Sequence, residues 1–132
     1  MEDLAVRNEV SFEIKSLVDD FDLVRIYNQA KVFAFASYRE PLGLAPLEAL
    51  ACGTPVVAVG EGGVPETVDS GQTGILTERD ELQFADAIVQ LLTNENRRKR
   101  MGEEGVAAVR SFWTLEQAAG RLLSHLESVA HH

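Results

Sequence analysis

The sequence of 132 residues predicts an α/β fold, a parallel sheet flanked by helices. Three observations carry this expectation. Several short runs are apolar throughout instead of alternating, as strands covered on both faces are. The segments between them repeat their apolar residues at helical spacing. Strand and helix patterns alternate along the chain, the order of a parallel sheet with right-handed helical crossovers.

Residues 1–9 read as the tail of a helix, and residues 10–14 (VSFEI) as a weak first strand. Over residues 22–30, Leu23, Ile26, Tyr27 and Ala30 share one helical face, with Asp20 or Asp22 placed to cap it. Residues 31–36 (KVFAFA) form the next strand. Residues 44–52 (LAPLEALAC) form a short helix, apolar almost all round, with Pro46 in the first turn, where no backbone donor is needed. Residues 55–59 (PVVAV) and 74–77 (GILT) are two further strands, and a short helix begins near Glu66, where a carboxylate suits a cap. Residues 81–92 carry Leu82, Ala85, Ile88, Val89 and Leu92 at helical spacing. Residues 94–110 make a poorer helix, since Gly102 and Gly105 each cost about 1 kcal/mol there. The clearest amphipathic stripe is Leu115, Ala118, Ala119, Leu122, Leu123, Leu126 and Val129. Only one weak strand precedes KVFAFA, fewer than a doubly wound sheet has. Residues 1–132 are therefore expected to form a single, partial domain.

Composition narrows the partners. Hydrophobic residues at 45% and charged residues at 25% are those of a globular chain. Twelve Lys and Arg against 21 Asp and Glu give a net charge of −9, which disfavours nucleic acid and anionic membranes. The basic run Arg97-Arg98-Lys99-Arg100 has Glu95, Glu103 and Glu104 beside it, and so reads as a solvated helix face. The one cysteine, Cys52, excludes an internal disulfide framework and fits a reducing compartment. With no basic-plus-apolar leader and no apolar run of about 18 residues, the expected location is the cytoplasm. His131-His132 reads as a tag remnant and stays out of the metal argument; no His or Cys cluster has metal-ligand spacing. Asp20-Phe21-Asp22 matches a D-x-D pattern, but it precedes any good strand end and suits helix capping better.

In an open α/β sheet, ligands bind outside the carboxyl ends of the strands. Two loops leave such ends, residues 37–43 (SYREPLG) and residues 60–63 (GEGG). Parallel strands put both on one rim. Gly43 precedes the helix of residues 44–52, whose free N–H groups and dipole make an anion site. Glu48 is the only charge on that helix. Buried there, it needs a hydrogen-bonding partner, which is either a neighbouring loop or the hydroxyls of a ligand such as a ribose. Glu40 lies eight residues earlier, as a solvated loop charge or as a second carboxylate facing the same ligand. Gly62 and Gly63 let backbone approach a ligand closely, or simply turn the chain.

Residues 40–58 (EPLGLAPLEALACGTPVVA) resemble the E-x7-E signature of retaining glycosyltransferases, family 4 in particular. Gly62-Gly63-Val64-Pro65-Glu66 is similar to the G-G-x-x-E segment that follows it, and residues 69–76 to the family's next turn and strand. The likeness runs from about residue 10 to residue 126. It implies the Rossmann-like C-terminal, donor-binding domain of a GT-B enzyme, one that transfers a sugar from a nucleotide sugar with retention and without an obligate metal or other cofactor. By that resemblance Glu40 contacts the donor sugar and Glu48 the ribose. The backbone at Gly43 and Leu44 holds the diphosphate, and Gly62 and Gly63 complete the donor site. The chain departs from the family at Glu13-Ile14-Lys15, where a glycine loop usually touches the base.

The family's diphosphate-neutralising Arg and Lys, and its acceptor domain, belong to segments outside this sequence. The isolated chain is therefore expected to bind donor without turnover, since catalysis needs donor and acceptor held together. The parent enzyme is expected in the cytoplasm or at the inner face of the membrane. An uncovered sheet edge predicts a homodimer. The alternative is a non-catalytic α/β module that binds a partner protein or a phosphorylated ligand.

Overall fold

The computed structural model describes residues 2–130; His131 and His132 lie outside the described residues. Three parallel strands form the sheet in the order β1 (Phe33–Phe35), β2 (Val56–Val59), β3 (Gly74–Thr77). Phe33 stands opposite Val56, and Val56 opposite Gly74. Helices α1 (Glu2–Arg7) and α2 (Asp20–Gln29) precede the sheet. α3 (Leu44–Ala51) links β1 to β2, and the short α4 (Val64–Thr67) lies between β2 and β3. α5 (Glu81–Thr93), α6 (Glu95–Ala108), a π-helical turn (Val109–Trp113) and α7 (Leu115–Ala130) follow.

The central strand is buried along its whole length, which is why it reads as an unbroken apolar run. Its alternating side chains serve two cores. Val56 and Ala58 pack with Tyr27, Ala49, Leu50, Val64 and Val68 on the face covered by α2, α3 and α4. Val57 packs with Ala87, Leu91 and Met101 of α5 and α6 on the other. The parallel α/β layer is therefore as expected, with its helices on both faces.

Four details differ from the sequence reading. Residues 10–14 form no strand, and Val10, Phe12 and Ile14 are exposed. No strand stands beyond β1 among the described residues to pair with them, so their backbone groups have no ladder to join. The cap of α2 is Asp19, which accepts the Asp22 amide at 2.8 Å, while Asp22 pairs with Arg25. Glu66 caps nothing, because Gly63 occupies the N-cap position of α4 and Glu66 lies inside the first turn. The stripe on α7 buries none of its residues, with Leu122, Leu123, Leu126 and Val129 all at least 57% exposed.

The basic run is tied up locally, as a solvated helix face would be. Arg97 donates to Gln90, Arg98 to the carbonyls of Leu91 and Leu92 at the end of α5, and Lys99 pairs with Glu95. Glycines that looked costly in α6 are where the helix meets α3 and the turn after it. A Cβ on Gly102 would overlap the Gly53 carbonyl oxygen, and one on Gly105 would come within 2.9 Å of Leu50 Cδ2. Gly120 on α7 has open space around it. Gly102→Ala is therefore expected to destabilise the fold by about 2 kcal/mol despite its better helix propensity. Gly120→Ala should stabilise it by up to about 1 kcal/mol. Urea unfolding of both variants checks the opposite signs.

Candidate functional site at the carboxyl rim

The loops leaving β1 and β2 meet backbone to backbone. The Gly63 amide donates to the Glu40 carbonyl at 2.8 Å. A Cβ on Gly62 would overlap that same carbonyl oxygen, and one on Gly63 the carbonyl of Pro41. Gly62 also has φ of +61°, in the left-handed region. These glycines close the turn against the first loop, so the contact is with protein backbone.

Gly43 enters α3 at φ +82°, and a Cβ there would stand 2.9 Å from Thr67 Oγ1 of α4. Its amide donates to Glu40 Oε1 at 3.0 Å. The Glu40 side chain therefore returns to its own loop and is half-buried, not solvated. The next two amides, of Leu44 and Ala45, have no acceptor among the described residues. They form the donor-bearing, positive end of α3, with the Glu40 carboxylate beside it.

Glu48 is placed differently from the expectation. α3 buries Pro46, Leu47, Ala49 and Leu50 and leaves Leu44, Glu48 and Ala51 in one exposed stripe. Glu48 is therefore on the open side of the helix, about 6 Å along its axis from Leu44. Its partner is a side chain: Tyr27 of α2 donates to Glu48 Oε2 at 3.1 Å. The Tyr27 ring is buried and meets Phe33 edge-on, and its carbonyl accepts from Thr54 Oγ1 at 2.6 Å. Tyr27, Glu48, Asp20, Leu23, Val24, Ala51 and Cys52 border a shallow groove between α2 and α3. Burial and the Glu48 charge push the Tyr27 phenol up to about 12, and the same two causes raise the Cys52 thiol.

Glu40, Gly43, Leu44, Gly62 and Gly63 thus come together at one rim, with Glu48 one helical turn away. Two contributors, Arg79 and Tyr27, escape the sequence analysis. Arg79, in the loop after β3, binds Glu61 through three N–H···O contacts of 2.8–3.2 Å. The rule that selected the first two loops selects this third strand end as well. The hydrogen bonds that Arg79 donates to Glu61 lower the Glu61 carboxyl and raise the Arg79 guanidinium. Tyr27 belongs to an apolar helix face in the sequence, yet a buried tyrosine hydroxyl ordinarily has a partner to find. No group of three or more metal-ligating side chains occurs among the described residues, and no described helix is long and apolar enough to cross a membrane.

A parallel α/β layer with its loops converging at the carboxyl rim is a Rossmann-like domain. The chain belongs to the family described as glycosyl transferases group 1, whose profile matches residues 2–107. It is 41% identical over 111 residues to D-inositol 3-phosphate glycosyltransferase of Corynebacterium efficiens, a match covering 83% of this chain and 26% of that protein. Its fold is similar to sucrose-phosphate synthase from Thermosynechococcus elongatus, with a TM-score of 0.80, 32% identity, and coverage of 97% of this chain and 34% of the other. It is also similar to HepE of Anabaena, solved in complex with UDP, with a TM-score of 0.80 at 25% identity, covering 96% and 34%. The chain thus spans about a quarter of the length of the curated relatives it matches.

Tyr27 offers a direct check on the α2–α3 contact. Its raised value favours the neutral phenol in the folded chain. The stability this contributes is complete below pH 10.0, the ordinary value, and is lost as pH rises from there through about 12. The chain has two tyrosines, so Tyr38→Phe leaves Tyr27 as the single reporter. Its phenolate absorbance should appear well above pH 10, and substituting Glu48→Gln should move the transition down.

Proposed function

We propose that this chain is the donor-binding portion of a retaining, family 4-type glycosyltransferase. In the parent enzyme a sugar leaves a nucleoside diphosphate and joins an acceptor hydroxyl on the same face of the ring. The observation that carries this reading is the unpaired Leu44 and Ala45 amides opening α3, flanked by Glu40 at the loop and Glu48 one turn along. The amides and helix dipole suit a diphosphate. The Glu40 oxygen not taken by Gly43 suits a sugar hydroxyl. Glu48, held at one oxygen by Tyr27, keeps the other for a ribose diol. Gly62 and Gly63 serve this site by fixing the Glu40 loop, with no metal or other cofactor required.

The family match, the glycosyltransferase relatives and the UDP complex of a structural neighbour support this assignment. Donor binding is the activity assigned to these residues; turnover in the parent enzyme also requires a bound acceptor and cations to neutralise the leaving diphosphate. The setting is cytoplasmic, or the inner membrane face for the parent enzyme. In isolation the open edge of β1 favours a homodimer.

The test is a titration of isotope-labelled protein with UDP-glucose, GDP-mannose and ADP-glucose, read by backbone amide NMR. One donor should give saturable shifts at Leu44 and Ala45, and Glu48→Ala should weaken it about tenfold, roughly 1.4 kcal/mol. Absence of binding by every donor, or an undiminished affinity in Glu48→Ala, would overturn the assignment in favour of a non-catalytic module.

A further inference from the structure

Arg79 is bound more elaborately than an exposed ion pair requires. Its guanidinium donates to Glu61 after β2 and also to the carbonyls of Ala36 at 3.3 Å and Ser37 at 2.9 Å, just past β1. The Tyr38 ring lies 5.3 Å from its central carbon. One side chain from the third loop of the rim thus joins the other two. Arg79 and Glu61 are 41% and 40% exposed, and a pair so open to water adds little to stability. A flexible side chain held by two loops at once has a positional consequence instead. A guanidinium spreads five donors over a rigid planar fork, which lets it span a carboxylate and two carbonyls at once, as a point-like ammonium does not.

The loop that begins at Ala36 ends at Glu40 and Gly43. Its far end is already fixed by the Gly63 and Gly43 amides, which bind the Glu40 carbonyl and carboxylate. Arg79 fixes its near end. Between the anchors lie Tyr38 and Arg39, the latter at φ +55°, a conformation that side-chain-bearing residues adopt rarely. A loop carrying such a residue needs support from its surroundings to stay in place.

We propose that Arg79 is a positioning residue that clamps the loop of residues 36–40 to Glu61 and so sets where Glu40 meets the donor. This rests on the reading that Glu40 contacts the donor sugar. Because Glu40 serves the sugar and α3 serves the diphosphate, the clamp acts on affinity for a nucleoside diphosphate sugar and not on affinity for the free diphosphate.

The experiment compares wild type, Arg79→Gln and Arg79→Lys, each titrated with UDP-glucose, GDP-mannose and ADP-glucose beside UDP, GDP and ADP. Thermal midpoints should be nearly unchanged. In Arg79→Gln the affinity for the bound sugar nucleotide should fall about tenfold, while that for its free diphosphate changes less than about twofold. Arg79→Lys should behave as Arg79→Gln, because an ammonium can keep the Glu61 pair but its donors radiate from one nitrogen and do not span the two carbonyls as well. Equal losses for sugar nucleotide and diphosphate, or full rescue by lysine, would overturn the proposal. A ligand-free readout separates it from the donor reading. In wild type the amides of residues 37–40 should be sharp and the Arg79 Nε–H signal visible, and in both variants those amides should broaden. If wild type binds no nucleotide, the donor reading falls and the clamp is judged on the loop alone. Unchanged loop amides in Arg79→Gln would overturn the clamp in either case.

Discussion

The rim depends on one steric constraint: the turn after β2 lies on the loop after β1 with no room for a side chain between them. Gly62 and Gly63 face the carbonyls of Glu40 and Pro41, and the Gly63 amide binds Glu40. The same crowding recurs at Gly43, where α3 begins against Thr67 of α4. These contacts set the starts of two helices relative to each other and to Glu40. Because β2 is buried throughout and anchors both cores, the turn that leaves it is fixed in turn. The unpaired amides of α3 are thus presented by the fold itself.

Charge is distributed to match. The chain as a whole is acidic, yet the carboxylates around the rim are held by local donors. Glu40 takes an amide, Glu48 a phenol and Glu61 a guanidinium. Each partnered carboxylate is oriented, and the Glu40 and Glu48 pairs keep one oxygen apiece for something else. Tyr27 contributes by packing its ring in the core beside Phe33 while its hydroxyl reaches the surface of α3. One residue therefore links core packing to the orientation of the Glu48 carboxylate.

The three strands and the helix starting after Gly43 were legible in the sequence because burial on both faces writes a continuous apolar run, and because a strand-to-helix turn needs glycine. The meeting of the two rim loops was legible from topology alone, since parallel strands end on the same side. Other features depend on distant partners and left no local trace. The expected strand at residues 10–14 lacks a neighbour beyond β1 among the described residues. The sequence places Glu48 on a helix that is apolar nearly all round, yet α3 keeps one stripe of Leu44, Glu48 and Ala51 open. Arg79 meets residues 18, 42 and 43 positions away, beyond the reach of any periodicity. The α6 glycines looked like defects because their purpose, contact with Gly53 and Leu50, lies on another element.

Native-state hydrogen exchange of the ligand-free chain tests the central claim most directly. If the two loops are interlocked by the fold, the Gly63 and Gly43 amides, bound to the carbonyl and carboxylate of Glu40, exchange only through large-scale opening. Their protection should then approach that of the β2 amides, while the unpaired Leu44 and Ala45 amides exchange freely. Fast exchange at Gly63 and Gly43, with β2 still protected, would mean that the loops move independently and that the fold does not prearrange the site.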